Sequence, residues 1–212
     1  IYIRLRAEHG YGGAESSVRA YVGRRRRELG LERRDVFVPL VHLPGQEAEV
    51  DWYEAYADLP TGRRKYYVLA MRACYSGMEF HAAFGQQSQQ AFLEGLALGF
   101  EYFGGVFARV RFDNLGSAVK KVLKGRTREE TDRFVALRSH YLFESEFCQV
   151  GLAGAHEKGG VEGAAGRFRR NHLVPVPQVG SLAELNMLLL AGCAEDAQRV
   201  ISGKQGRVLE QW

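Results

Sequence analysis

Three strand-like runs follow one another with only turn residues between them, and after the third the pattern changes to alternating helix and strand. Few architectures satisfy both halves. The runs are Ala48 to Tyr53, Tyr66 to Ala73 and Met78 to Phe84, separated by Pro60-Thr61-Gly62 and Ser76-Gly77. Connections this short predict an antiparallel meander. From Gln87 to Phe103 the apolar residues Phe92, Leu96, Phe100 and Phe103 keep helical register and stop at Gly104-Gly105, a helix C-terminus. A short strand over 107–112 then ends at Asp113-Asn114, and a basic loop follows with Lys120, Lys121, Lys124, Arg126 and Arg128. The rest reads as a helix over 131–141, a strand over 142–150, a glycine-rich loop over 151–154 and a helix from near His156 to Arg170.

That order predicts an α/β fold of the ribonuclease H-like kind, a mixed five-stranded sheet flanked by helices. We assign it residues 46–178. Ahead of it, residues 1–35 read as part of a helix-turn-helix: a short helix, a break at His9-Gly10-Tyr11-Gly12-Gly13, and a second helix from about Ser16. Its Arg-rich end suits phosphate contacts, although an ordinary helical hairpin would look the same. Residues 36–45, with Pro39 and Pro44, read as a linker. Residues 179–212 hold a last amphipathic helix, Ser181 to about Ile201, led by a Ser181/Glu184 capping box, and the start of a following region. The chain opens on Ile1 in what already reads as helix, so a fragment of a longer protein is expected.

The net charge of +4 and pI near 9.0 lean toward a polyanionic partner. Distribution matters more, because Arg24, Arg25, Arg26 and Arg27 form one basic run and Arg167, Arg169 and Arg170 another, with Arg19 beside the first. Either run could also be a solvated helix face. Cys74, Cys148 and Cys193 are odd in number, far apart and set among apolar residues, which indicates neither a disulfide framework nor a zinc motif and fits a reducing cytoplasm. No apolar run is long enough to span a bilayer, so a membrane role is not expected.

Cleaving a phosphodiester requires an activated nucleophile and stabilised charge at phosphorus, which divalent ions on a few convergent carboxylates supply. Three acids stand at suitable places. Asp51 lies in Glu49-Val50-Asp51-Trp52-Tyr53, where alternation sets Glu49, Asp51 and Tyr53 against Val50 and Trp52. A strand acid must be paired, metal-bound or at an edge. Asp113 ends an apolar strand, where sheets carry ligands, although an Asx-turn explains it equally. Glu162 follows His156-Glu157-Lys158-Gly159-Gly160-Val161, and spacing alone does not choose it over Glu157.

These strings resemble the IstA-type transposases of bacterial insertion sequences, members of the DDE transposase/integrase superfamily. Gly45-Gln46-Glu47-Ala48-Glu49-Val50-Asp51-Trp52 is similar to the family's first-aspartate block. Phe103-Gly104-Gly105-Val106 with Phe112-Asp113-Asn114 is similar to the second, and Glu157-Lys158-Gly159-Gly160-Val161-Glu162 to the glutamate block, which selects Glu162. Phe168-Arg169-Arg170-Asn171-His172-Leu173 fits the basic segment beyond it. Cys148-Gln149-Val150 lacks the proline that the resemblance leads one to expect after the cysteine.

The resemblance implies a catalytic triad of Asp51, Asp113 and Glu162 holding two Mg2+ ions, with Mn2+ able to substitute. It implies hydrolysis at the transposon ends and direct attack of the freed 3' hydroxyl on target DNA. Phosphate contacts would come from Arg19, Arg24, Arg25, Arg26, Arg27, Lys120, Lys121, Lys124, Lys158, Arg167, Arg169 and Arg170. Implied partners are transposon-end and target DNA, further copies of the chain and an IstB-type ATPase, in a bacterial, nucleoid-associated setting. Two other readings share the fold: a nuclease or resolvase that only hydrolyses, and a DNA-binding assembly protein without catalysis.

Overall fold

The computed structural model describes residues 2–30, 41–112, 119–122, 128–148, 159–202, 204 and 206–211. The chain divides into two units, Ile1–Leu40 and Val41–Trp212.

In the first unit α1 (Tyr2–His9) and α2 (Glu15–Glu28) are joined by a glycine-rich turn. The N–H of Tyr11 donates to the Leu5 carbonyl at 3.1 Å, and the Tyr2 and Tyr11 rings meet edge to face. Val18 is buried, whereas Arg24 to Arg27 are exposed.

The second unit is built on a five-stranded sheet of order β3-β2-β1-β4-β7, from β1 (Glu47–Leu59), β2 (Gly62–Ala73), β3 (Glu79–Phe84), β4 (Arg109–Phe112) and β7 (Glu144–Phe147). The first three run antiparallel in succession, while β4 lies parallel to β1 and to β7. This is the mixed sheet that the pattern predicts. Both strands of the first hairpin run longer than their apolar stretches. Their outer ends are held by the cross-strand ion pairs Lys65–Glu54 and Arg63–Asp58, whose charges mask the strand period in the sequence. The stretch read as a basic loop forms a small separate hairpin, β5 (Val119–Val122) with β6 (Arg128–Glu130).

Parity along β1 sorts its side chains between two cores. Ala48, Val50 and Trp52 face a core with α3 (Gln89–Phe103) and α4 (Asp132–Tyr141), while Ala55 and Ala57 face one with α5 (Gly159–His172) and α6 (Leu182–Asp196). Helices α3 and α4 are capped by Ser88 and Thr131, whose hydroxyls accept from the N–H groups of Ala91 and Phe134. Gly104 ends α3 in the left-handed conformation, at φ 67°. In the first core the Phe112 ring packs against Phe92, Phe134 and Phe147 at 5.5 to 5.8 Å, anchoring the described end of β4.

The sequence sets residues 179–212 apart, yet α6 packs on β3 inside the second unit, because Leu185, Leu189 and Cys193 form a buried stripe. The helix stops at Asp196, short of Ile201. At its start the Ser181 hydroxyl accepts from Glu184 N–H, and the Glu184 carboxylate reaches back one residue further than a capping box requires, to Gly180 N–H. Among the described residues no helix is long and apolar enough to cross a membrane.

Candidate active site

Asp51 lies in the central strand, partly exposed, opposite Ala70 of β2. One of its carboxylate oxygens accepts from the N–H of Trp52 at 2.9 Å. By parity it shares a face with Glu49 and Tyr53, the face covered by α5. Val50 pairs with Phe112 as the last described step of the parallel ladder, and Asp51 and Asp113 are the next residue in each segment. Asp113, Lys124 and Lys158 lie outside the described residues, as do the side chains of Lys120 and Lys121, whose backbone forms part of β5.

Glu49 was not among the residues expected from the sequence. It is buried, and its carboxylate accepts a hydrogen bond from Val161 N–H at 2.8 Å. Arg72 of β2 and Arg111 of β4 flank it at 3.8 and 3.7 Å, each opposite Glu49 in its ladder. A buried carboxylate needs such company, since an unpaired charge there costs about 3 kcal/mol or more. The two guanidinium groups and the Val161 N–H, in the first turn of the helix at the positive end of its dipole, supply it. The signal was present in the sequence, because Glu49 shares the parity of Asp51 in a strand with little room for a solvated acid.

Glu162 follows Val161 immediately and is exposed in the first turn of α5. The helix is seated by Val161, Ala164, Ala165 and Phe168, which are buried. Gly160 makes the close approach possible. A Cβ there would stand 2.5 Å from Glu49 Oε2 and 2.6 Å from an Arg72 guanidinium nitrogen.

The three arginines of α5 separate in the structure. Arg169 and Arg170 are exposed, and the Arg169 guanidinium lies 5.9 Å from the centre of the Tyr53 ring. Arg167 turns inward instead. It bonds Glu79 at 2.6 Å and Asp196 at 2.5 Å, while Arg199 reaches Glu79 at 2.6 Å. Arg167 is therefore engaged with α6 and β3 and turned away from the exposed side of α5. This network pins the far half of α5, with the rings of His81 and Phe168 stacked at 3.8 Å.

His81 itself is fully enclosed. Burial lowers its pKa, only partly offset by Glu79 nearby. A neutral ring fits its contacts, with Nε2–H toward Glu79 at 3.5 Å and Nδ1 accepting from the Tyr53 hydroxyl at 3.2 Å. Burial raises the Glu79 pKa, but His81, Arg199 and Arg167 together outweigh it and hold the group below its ordinary value. In the first unit Arg19 pairs with Glu15, and Arg24 and Arg25 with Glu28, all in exposed positions. Arg26 and Arg27 carry no ion pair among the described residues.

No protein-family model matches the chain. It is 34% identical over 208 residues to a transposase of Aminobacter aminovorans, an alignment covering 96% of this chain and 41% of that protein. It is 31% identical over 157 residues to the transposase for insertion sequences IS1326/IS1353 of Pseudomonas aeruginosa, covering 74% of this chain and 31% of that protein. The chain thus spans less than half the length of either relative. Among solved structures, the HTLV-2 integrase catalytic core domain in complex with magnesium (dimeric form) superposes with a TM-score of 0.59 at 14% identity, covering 80% of this chain and 97% of that one. That likeness shows the fold, the five-stranded integrase core.

Proposed function

From a chain homologous to insertion-sequence transposases and built on an integrase-core fold, we propose a DDE-type, IstA-like transposase whose complete form cleaves transposon ends and joins their 3' hydroxyls to target DNA. The observation that carries this reading is the hydrogen bond from Val161 to Glu49. Asp51 is two residues beyond Glu49 on the same strand face, about 7 Å along the backbone. Glu162 is the next residue after Val161. The contact therefore draws the strand acid and the helix acid toward one region, and Asp113 follows the strand paired to β1.

The donor set fits hard divalent cations, because Asp51, Asp113 and Glu162 offer only carboxylate oxygens. Two Mg2+ ions held by these three would activate the attacking water or hydroxyl and neutralise charge at the phosphate. The chain's own residues do the positioning. Asp51 is fixed by the central strand, and Glu162 is fixed through the seating of α5 on Glu49 and on the Arg167 network. Arg169 and Arg170, on the exposed side of α5, would hold DNA phosphates beside the acids, with Lys158, Lys120, Lys121 and Lys124 as further contacts. Arg19 and Arg24 to Arg27 in the first unit would grip a second stretch of backbone. Partners under this reading are transposon-end and target DNA, further copies of the chain, and an IstB-type ATPase.

Strand transfer tests the proposal. The full-length protein, given a pre-cleaved end with a free 3' hydroxyl and Mg2+, is expected to join it to a second duplex, and Asp51→Asn to abolish joining while DNA binding persists. Hydrolysis without joining would favour the nuclease, and joining by Asp51→Asn would exclude this site.

A further inference from the structure

A second group of ligand atoms lies about 13 Å along β1 from Asp51, at the start of the strand. Glu47 opens β1 and Cys74 directly follows β2. The Cys74 N–H donates to the Glu47 carbonyl at 2.9 Å, so the end of the ladder fixes the spacing of these two residues. His42, in the segment leading into the strand, places Nδ1 2.5 Å from Glu47 Oε2. The other oxygen of Glu47 is bonded by Arg109 at 3.0 Å and faces Arg111 at 3.9 Å, which leaves Oε2 turned toward His42. One nitrogen, one carboxylate oxygen and one sulfur lie within 4.8 Å of one another. Cys74 is buried, whereas the His42 and Glu47 side chains keep 19% and 16% exposure, enough for an ion to enter.

We propose that His42, Glu47 and Cys74 form a zinc site, separate from the catalytic acids, with water as fourth ligand. Ligand bonds of about 2.0 to 2.3 Å set donors around one zinc roughly 3.3 to 3.8 Å apart. The His42–Glu47 contact, at 2.5 Å, needs to open by about 1 Å, and the sulfur, within 4.8 Å of both, to close by at most about as much, which side-chain rotation supplies. A thiol and an imidazole select zinc over magnesium, which prefers oxygen alone. Charge also balances, because thiolate and carboxylate cancel the ion, and Arg109 and Arg111 are met by Glu144 and Glu146. Binding releases the thiol proton, and any proton shared between His42 and Glu47, to solvent. The ion would staple the entry segment to the start of β1 and the end of β2. The 42, 47, 74 spacing follows no zinc motif, because the sheet and not a loop brings the ligands together.

The test uses full-length protein carrying Asp51→Asn, so that the proposed catalytic acids are disabled, stripped by a chelator and titrated with Co2+. The expected result is one Co2+ per chain with a near-ultraviolet thiolate-to-cobalt charge-transfer band, displaced by Zn2+. Cys74→Ser should remove the band and Cys193→Ser should retain it. His42→Ala, which disturbs no buried thiol, should weaken Co2+ binding at least tenfold. Absence of the band, its survival in Cys74→Ser, or unchanged affinity in His42→Ala overturns the site, and none of these outcomes bears on the transposase reading.

Discussion

The carboxylate of Glu49 accepts the backbone N–H of Val161 at 2.8 Å, tying the strand that carries Asp51 to the helix that carries Glu162. Truncation to Glu49→Ala leaves that N–H without its acceptor and strips Arg72 and Arg111 of their shared partner, at a cost of about 1 to 3 kcal/mol. Glu49→Gln keeps an acceptor oxygen. Joining activity is expected to fall far more in Glu49→Ala than in Glu49→Gln, with DNA affinity unchanged in both. Equal loss in the two would mean that the charge of Glu49, and not its seating of the helix, matters.

Gly160→Ala tests the same seating from the other side. The added methyl would meet Glu49 and Arg72 at 2.5 and 2.6 Å, atoms that are already committed to Val161 and to each other. Either these side-chain ends or the helix start must shift, and both disturb the seating, so joining is expected to drop at least tenfold while the melting temperature changes little. Wild-type joining in this variant would show that the contact is slack.

The arginines of α5 should divide by function. Arg167→Ala leaves Glu79, whose side chain is 1% exposed, short of one of its cations, and is expected to cost about 3 kcal/mol of stability while preserving the salt dependence of DNA binding. The double change Arg169→Ala with Arg170→Ala should do the reverse, reducing the log–log salt slope by about 2 with little effect on unfolding. Thermal melts and salt titrations of the two variants decide the matter.

Stability should decline as the solution is acidified. The folded-state pKa of His81 is below its ordinary value of 6.5, so as the pH falls through about 6.5 the unfolded chain takes up a proton that the folded chain refuses. Stability is therefore full above that pH and is lost progressively below it. Glu79, also depressed, adds a further loss below about 4.5. Melting temperatures measured from pH 8 to 5 should fall, and those of His81→Gln should fall less over the same range. A flat profile for the wild type would mean that His81 is open to protons in the folded state.

Much of the fold was legible because its elements carry strong periods. Phe92, Leu96, Phe100 and Phe103 mark α3 plainly, and the parity of Val50 and Trp52 against Asp51 fixes the two faces of β1. The outer half of the first hairpin was hidden by its charges, and β5 with β6 lay inside a stretch too basic to show a period. Within the site, Asp51 and Glu162 could be picked out by resemblance to known blocks, whereas for Glu49 and Arg167 the strand parity and the charge were legible but not what each side chain holds. Their roles depend on partners 112 and 88 residues away in the chain, which local pattern does not encode.

Under the proposed function, Asp51 and Glu162, with Asp113, hold divalent ions together. Full-length protein bound to transposon-end DNA and crystallised with Mn2+ tests it most directly, through anomalous density. A manganese peak is expected at about 2.1 Å from carboxylate oxygens of both Asp51 and Glu162, absent in Asp51→Asn. Peaks that touch neither acid, or an Asp51 carboxylate directed away from Glu162 in the DNA-bound state, would contradict it.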